Sequence, residues 1–217
     1  TPSPNAFGTD TFTFKVNDGT VDSNVATVTV TIDAVNDAPV ADAQIVDTDE
    51  DTAVSVTLTG SDVDGDPLSY TVISGPSHGT LTGTAPNLLY TPDPNYFGPD
   101  SFRFIVNDGT VDSEPATVTV IVDAVNDAPI AQNGVASTPV DTAVTSVLVA
   151  TDIDSVTLTY SIVSNGSKGT LVITDSETGA YIYTPNSTTT GVDIITFKAN
   201  DGAADSNTAT VTISIGE

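Results

Sequence analysis

The sequence predicts an all-β protein, built as tandem Greek-key β-sandwich domains of seven strands each in a linear array. Three observations carry that expectation. A block of about 90 residues recurs along the chain, apolar and polar residues alternate with period two between Gly- and Pro-bearing breaks, and the acids are almost all aspartate.

The repeat comes first. Thr1–Pro39 and Thr91–Pro129 align without a gap at an offset of 90. The same offset carries Asp51-Thr-Ala-Val onto Asp141-Thr-Ala-Val, and Asp62-Val-Asp64 onto Asp152-Ile-Asp154. It also carries Leu68-Ser-Tyr70 onto Leu158-Thr-Tyr160 and Gly79-Thr-Leu81 onto Gly169-Thr-Leu171. The later copy then gains 3 residues, and Asn107-Asp-Gly109 recurs as Asn200-Asp-Gly202. The expected organisation is therefore 1–39, the C-terminal part of an incomplete repeat; 40–129, a complete repeat; and 130–217, a second complete repeat. A period of this length exceeds the roughly 20–50 residues of a solenoid unit and fits an independent sandwich domain.

The alternation comes second. Phe102, Phe104 and Val106 alternate with Arg103 and Ile105, and apolar residues alternate with Thr over 116–120. Both patterns suit half-buried strands. In the complete repeat the expected strands are 40–46, 53–60, 68–74, 79–84, 87–91, 100–107 and 115–123. No stretch shows helical periodicity. Phe102, Phe104 and Tyr70 are expected in the core.

Composition comes third. Lys and Arg number 4, Asp and Glu 29, and the formal net charge is -25. Only Glu50, Glu114, Glu177 and Glu217 are glutamates. Aspartate favours turns and loop ends, where its short side chain bonds nearby backbone. The acidity excludes a non-specific nucleic-acid binder and argues against docking on an anionic membrane. No run of apolar residues is long enough to insert into a bilayer. Cysteine is absent, so disulfides, zinc–thiolate sites and a cysteine nucleophile are all excluded. Staples must come from elsewhere, and metal is the usual substitute.

The aspartates cluster where a Greek key gathers its loops. Successive strands run up and down, so the loop between strands two and three shares one end with the loop between strands six and seven. That end also receives the incoming chain. Asp62, Asp64 and Asp66 are thus expected to meet Asp108, with Asn36 and Asp37 entering beside them. The opposite end holds Glu50, Asp51 and the outgoing Asp123, Asn126 and Asp127, followed by Asp152, Asp154 and Asp201 of the next repeat. Two carboxylates ~4 Å apart repel by roughly 4 kcal/mol at an effective dielectric of about 20. Ca2+ relieves that cost by taking 6 to 8 oxygen ligands. An ordinary turn role for these aspartates is the bland alternative, and repetition at matched positions favours the metal. An EF-hand does not fit, because Pro67 stands where that loop needs Gly and Ile73 where it needs Glu.

These segments bear a family resemblance. Asp123-Ala-Val-Asn-Asp-Ala-Pro129 resembles the cadherin linker, Gly60 to Tyr70 resembles the cadherin A-x-D-x-D segment, and Val106 to Gly109 resembles its A-x-D-x-G segment. Glu50 falls near the family's N-terminal calcium-binding glutamate. Across nearly its whole length the chain is similar to the cadherin-like (tandem Ig-like) repeats of large bacterial surface and biofilm adhesins. The resemblance implies calcium as cofactor, an extracellular, cell-surface or secreted location, and no enzymatic activity. Two departures stand out. The mid-domain D-x-E segment is not recognisable, and Val156 stands where the earlier copy has Asp66.

The function expected is a calcium-stiffened structural or adhesive array. Its partners would be neighbouring repeats of the same or an identical chain, and a cell-surface protein or glycan. One alternative is a fibre subunit assembled by strand addition between protomers. Another is an accessory carbohydrate-binding module of a secreted enzyme, which the absence of Trp disfavours. His78, the only histidine, aligns with Lys168 and reads as a solvated loop residue.

Overall fold

The computed structural model describes residues 1–216, and among them no helix forms. No helix is therefore long and apolar enough to cross a membrane. The chain falls into two compact units, one spanning Thr1–Ala124 and the other beginning at Val125.

The first unit opens with a hairpin of β1 (Gly8–Phe14) and β2 (Ala26–Ile32), which pair antiparallel with Phe12 opposite Val28. Residues 40–129, the second of the three copies, with 130–217 the third, follow as β3 (Val40–Ala41), β4 (Gln44–Asp49), β5 (Val54–Thr57), β6 (Gly60–Ser61) and β7 (Ser69–Ser74). It continues with β8 (Gly79–Thr84), β9 (Asn87–Pro92), β10 (Gly98–Asn107) and β11 (Ala116–Asp123). One sheet has the order β4-β11-β10-β7 and the other β5-β9-β8, with β3 paired to β6. All seven expected strands are present, but the first and second are each divided. The first switches sheets. Its start pairs antiparallel with β6, whereas β4 runs parallel to β11 with Gln44 opposite Val118. Gln44 Nε2 covers the crossing by donating to Thr57 O (3.0 Å) and Thr59 Oγ1 (3.1 Å).

Alternation places the core between the sheets. Phe102, Phe104 and Val106 of β10 face Val118 and Val120 of β11, together with Val56, Leu58 and Tyr90 from the opposing sheet. Burying a side chain of this kind contributes about 1.5–3 kcal/mol. The hairpin, a two-stranded sheet, shows what an opposing sheet supplies. Phe12 and Phe14 hold the places of Phe102 and Phe104, yet they are 57% and 46% exposed against 1% and 0%.

The second unit repeats the plan with β12 (Ile130–Gln132), β13 (Gly134–Pro139), β14 (Val144–Val147), β15 (Val149–Thr151) and β16 (Thr159–Ser164). It ends with β17 (Gly169–Asp175), β18 (Ala180–Pro185), β19 (Gly191–Asn200) and β20 (Ala209–Gly216). Sheets β13-β20-β19-β16 and β14-β18-β17 enclose Leu148, Leu171, Tyr181, Tyr183, Ile195, Phe197 and Ile213. The same switch of sheets is covered here by Asn133, whose Oδ1 accepts Thr210 N at 2.8 Å.

Candidate metal centres

The stretches 40–129 and 130–216 each carry aspartates on the turn that follows the second strand. In the second copy Asp62 Oδ1 accepts the amides of Asp64 (2.8 Å), Gly65 (3.0 Å) and Asp66 (3.3 Å). Gly65 takes φ 84°, a conformation other residues rarely adopt. The turn brings one carboxylate oxygen from each of Asp62, Asp64 and Asp66 within 4.8 Å of the others. The incoming linker is bonded to the same loops. Asp37 N donates to Asp64 Oδ2 at 2.8 Å, and Asn36 Nδ2 to Asp108 Oδ2 at 2.8 Å.

Asp108 sits in the Asn-Asp-Gly turn, with its Oδ1 accepting Thr110 N (2.6 Å) and Val111 N (2.7 Å). The Asn36 side chain, followed by these amides, holds its carboxyl below the usual carboxylate range. The turn is shaped by Gly109 at φ 96°, and Asn107 Nδ2 donates across its base to Asp112 Oδ1 at 2.7 Å. A turn role and a presented carboxylate therefore coexist. The hairpin builds the same turn, and there the Val21 amide and Thr20 pull Asp18 down to about 2.

The second unit repeats the arrangement. Asp127 N donates to Asp154 Oδ2 (2.6 Å) and Asn126 Nδ2 to Asp201 Oδ2 (2.9 Å). Asp154 N bonds Asp152 Oδ1 at 2.8 Å. The Ala204 amide and then Asn126 hold Asp201 below its ordinary range.

At the other end of the second copy, Glu50 is buried and its amide donates to Asp123 O at 2.8 Å. Asp51 adopts φ 57° and accepts Asn95 N on Oδ1 at 3.0 Å, which braces the loop before β10. The third copy keeps the brace, with Asp141 accepting Thr188 N at 2.8 Å, but has Val140 in place of Glu50.

The donor set suits a hard divalent cation, since every candidate ligand is an oxygen. Asp62 Oδ2, Asp127 Oδ2 and Asp152 Oδ2 are buried with no hydrogen-bond partner. Oxygen atoms so placed are costly unless something positive meets them. Among the described residues the ion pairs are Lys15–Asp22 and Lys198–Asp205, and neither involves these acids.

Sequence reasoning passed over two features. Asp33 joins Asn5, Phe7, Val35, Asp37 and Asp64 around a cavity of about 280 Å³ beside the linker. Asp100 and Asp193 are buried acids of a different kind. Asp100 on β10 accepts Ser77 N (2.9 Å), His78 N (3.0 Å) and Tyr90 Oη (2.9 Å). Asp193 accepts Ser167 N (2.9 Å), Lys168 N (3.1 Å) and Tyr183 Oη (2.8 Å). β9 and β10 belong to opposite sheets, so each Tyr–Asp bond clasps a sandwich across its core. Burial, and then the aspartate beside it, push both phenols upward. His78 is exposed, as expected, and stacks on Tyr96 with ring centroids 4.1 Å apart.

Comparison with known proteins agrees with this architecture. Residues 36–121 and 126–214 each match the family described as bacterial Ig domain. A stretch of 98 residues is 34% identical to integrin beta-like protein B of Dictyostelium discoideum, covering 37% of this chain and 5% of that protein. Human protocadherin-24 EC1-2 superposes with a TM-score of 0.59 at 20% identity, covering 83% of this chain and 99% of that one. Human mucin-like protocadherin EC1-2 gives a TM-score of 0.51 at 17% identity, with 82% and 97% covered. At these identities the likeness to the two cadherin ectodomain structures is one of fold.

Proposed function

Since the chain belongs to the bacterial Ig domain family, as two tandem matches over most of its length show, we propose that it is a calcium-binding spacer or adhesive array of an extracellular surface protein. The observation that carries the reading is the pair of like clusters. In each, linker residues bond to the same loops that offer carboxylates, and in each a buried carboxylate oxygen lacks a partner.

Asn36, Asp37, Asp62, Asp64, Asp66 and Asp108 would form one seat, and Asn126, Asp127, Asp152, Asp154 and Asp201 the other. Bound calcium would neutralise the carboxylates and hold each linker against the repeat that follows it. Freedom would leave the linker, and the hydrogen bonds already joining it to the loops support a seat that needs little rearrangement. Glu50, Asp51 and Asp123, gathered at the far end of the second copy, are further candidate ligands. The partners proposed are further repeats of the same kind, and a cell-surface protein or glycan at the adhesive end.

Thermal unfolding in excess Ca2+ and in chelator tests the reading. Ligand at 100 times its Kd stabilises by about 2.7 kcal/mol, which raises Tm by roughly 10–20 °C in a domain of this size. Mg2+ should do less, because it resists dehydration and demands a tighter octahedron. An unchanged Tm in calcium would sink the proposal, as would an Asp62→Asn/Asp64→Asn variant that binds calcium as well as wild type.

A further inference from the structure

The two seats use the same turn but differ in one ligand. Both begin alike, with the first aspartate accepting amides through Oδ1: Asp62 from Asp64, Gly65 and Asp66, and Asp152 from Asp154 (2.8 Å) and Ser155 (2.7 Å). In both, the second oxygen of that aspartate is buried without a partner. The linker bonds also match, at 2.8 and 2.8 Å in one seat and 2.9 and 2.6 Å in the other.

The turns then part. Gly65-Asp66-Pro67 becomes Ser155-Val156-Thr157. Asp66 lies with Asp62 and Asp64 in the one group of three acids close enough to share an ion among the described residues. Val156 offers no oxygen from its side chain and is fully exposed at 102%. Ser155 Oγ turns to Thr157, donating to its carbonyl oxygen at 3.1 Å and accepting its amide at 3.3 Å.

We propose that the seats are unequal: the second copy's seat fills first, the third copy's only at higher calcium, and position 66/156 sets the gap. The inference rests on the calcium reading above. Calcium affinity follows the number of charged ligands and the rigidity of the site. The seats share their linker bonds and the first aspartate's braces to the amides two and three residues on, Asp62 adding a longer third brace from Asp66 at 3.3 Å, and their charge count differs by the carboxylate at 66/156. One carboxylate fewer should weaken the third copy's seat by about tenfold or more. Without an ion, the three crowded carboxylates of the second copy also repel one another, which makes its empty state less favourable. The array would then respond to calcium in two steps.

Calorimetric titration of the intact chain with CaCl2 tests this, using wild type, Asp66→Val and Val156→Asp. Wild type should show two affinity classes at least about tenfold apart. Asp66→Val should merge the tight class into the weak one. Val156→Asp, a gain on an exposed position that unfolding cannot mimic, should tighten the weak class and leave the tight one in place. A single class in wild type, or two classes unmoved by both substitutions, overturns the inequality while calcium binding stands. No binding heat together with no calcium-dependent Tm shift removes both proposals.

Discussion

The Tyr90–Asp100 clasp gives a quantitative prediction that does not depend on metal. Tyr90→Phe keeps the ring in its fully buried site and deletes a 2.9 Å bond to a buried carboxylate. A hydrogen bond to a charged group contributes roughly 1.5–3 kcal/mol, less what the hydroxyl's burial costs, so a loss of about 1–2 kcal/mol is expected. Asp100→Ala goes further. It leaves the amides of Ser77, His78 and Ser101 without this acceptor and the Tyr90 hydroxyl with His78 O at 3.3 Å alone, at about 3–5 kcal/mol. That is a large share of the roughly 5–15 kcal/mol holding a domain together. Melting in chelator should show one transition lowered by about 5–15 °C for Tyr90→Phe, and by more for Asp100→Ala. The pH dependence follows from opposing effects on Asp100. Burial raises its carboxyl, but the amides of Ser77, His78 and Ser101 and the Tyr90 hydroxyl lower it further, leaving it below the ordinary value. A depressed carboxylate stabilises fully above its unfolded value, near 4, and loses that contribution as pH falls through the folded value. Acid melting should therefore be steeper below about pH 4 in wild type than in Asp100→Asn. A Tyr90→Phe protein within about 0.3 kcal/mol of wild type would refute the clasp, since a bond to a buried charge cannot be that weak.

Two further predictions compare positions that look alike in sequence. Phe102→Ala should cost about 3–5 kcal/mol, whereas Phe12→Ala at the matched hairpin position should stay within about 0.5 kcal/mol, both read from denaturant midpoints. Gly169→Ala would press a methyl group against the Tyr183 hydroxyl and, at 2.6 Å, Thr184 O, so overpacking should cost about 1–3 kcal/mol. Gly134→Ala, whose nearest contact would be Val211 at 3.8 Å, should leave the melting temperature unchanged.

Much of the fold was legible because it rests on periodicity. Phe102, Phe104 and Val106 point inward as their alternation requires, and the seven strands follow from the breaks between them. The divided first strand was not legible. Its switch of sheets pairs Gln44 with Val118 and bonds Asn133 to Thr210, both far away in sequence, and a local pattern carries no trace of that. The linker bonds of Asn36 and Asn126 followed from loop placement in a Greek key. The clasp did leave a signal that went unread. Asp100 lies in phase with Phe102 and Phe104, on the inward side of a period-two strand, as does Asp193 with Ile195 and Phe197. An acid in phase with the core needs partners, and the donors stand on segments whose positions only the folded chain reveals.

Two groups of acids differ in how their charge is met. With 4 basic residues against 29 acids the chain cannot neutralise itself. Asp100 and Asp193 are met from within, Asp100 by three amides and a phenol and Asp193 by two amides and a phenol. The linker-bound clusters keep buried oxygens that no protein donor reaches, and on the calcium reading proposed above an ion would meet their charge. On that reading one copied fold would hold its sheets together without cysteine or metal and leave its linkers under the control of an ion. Chelation should therefore loosen the linkers while the clasped sandwiches persist, and acid should attack the clasps.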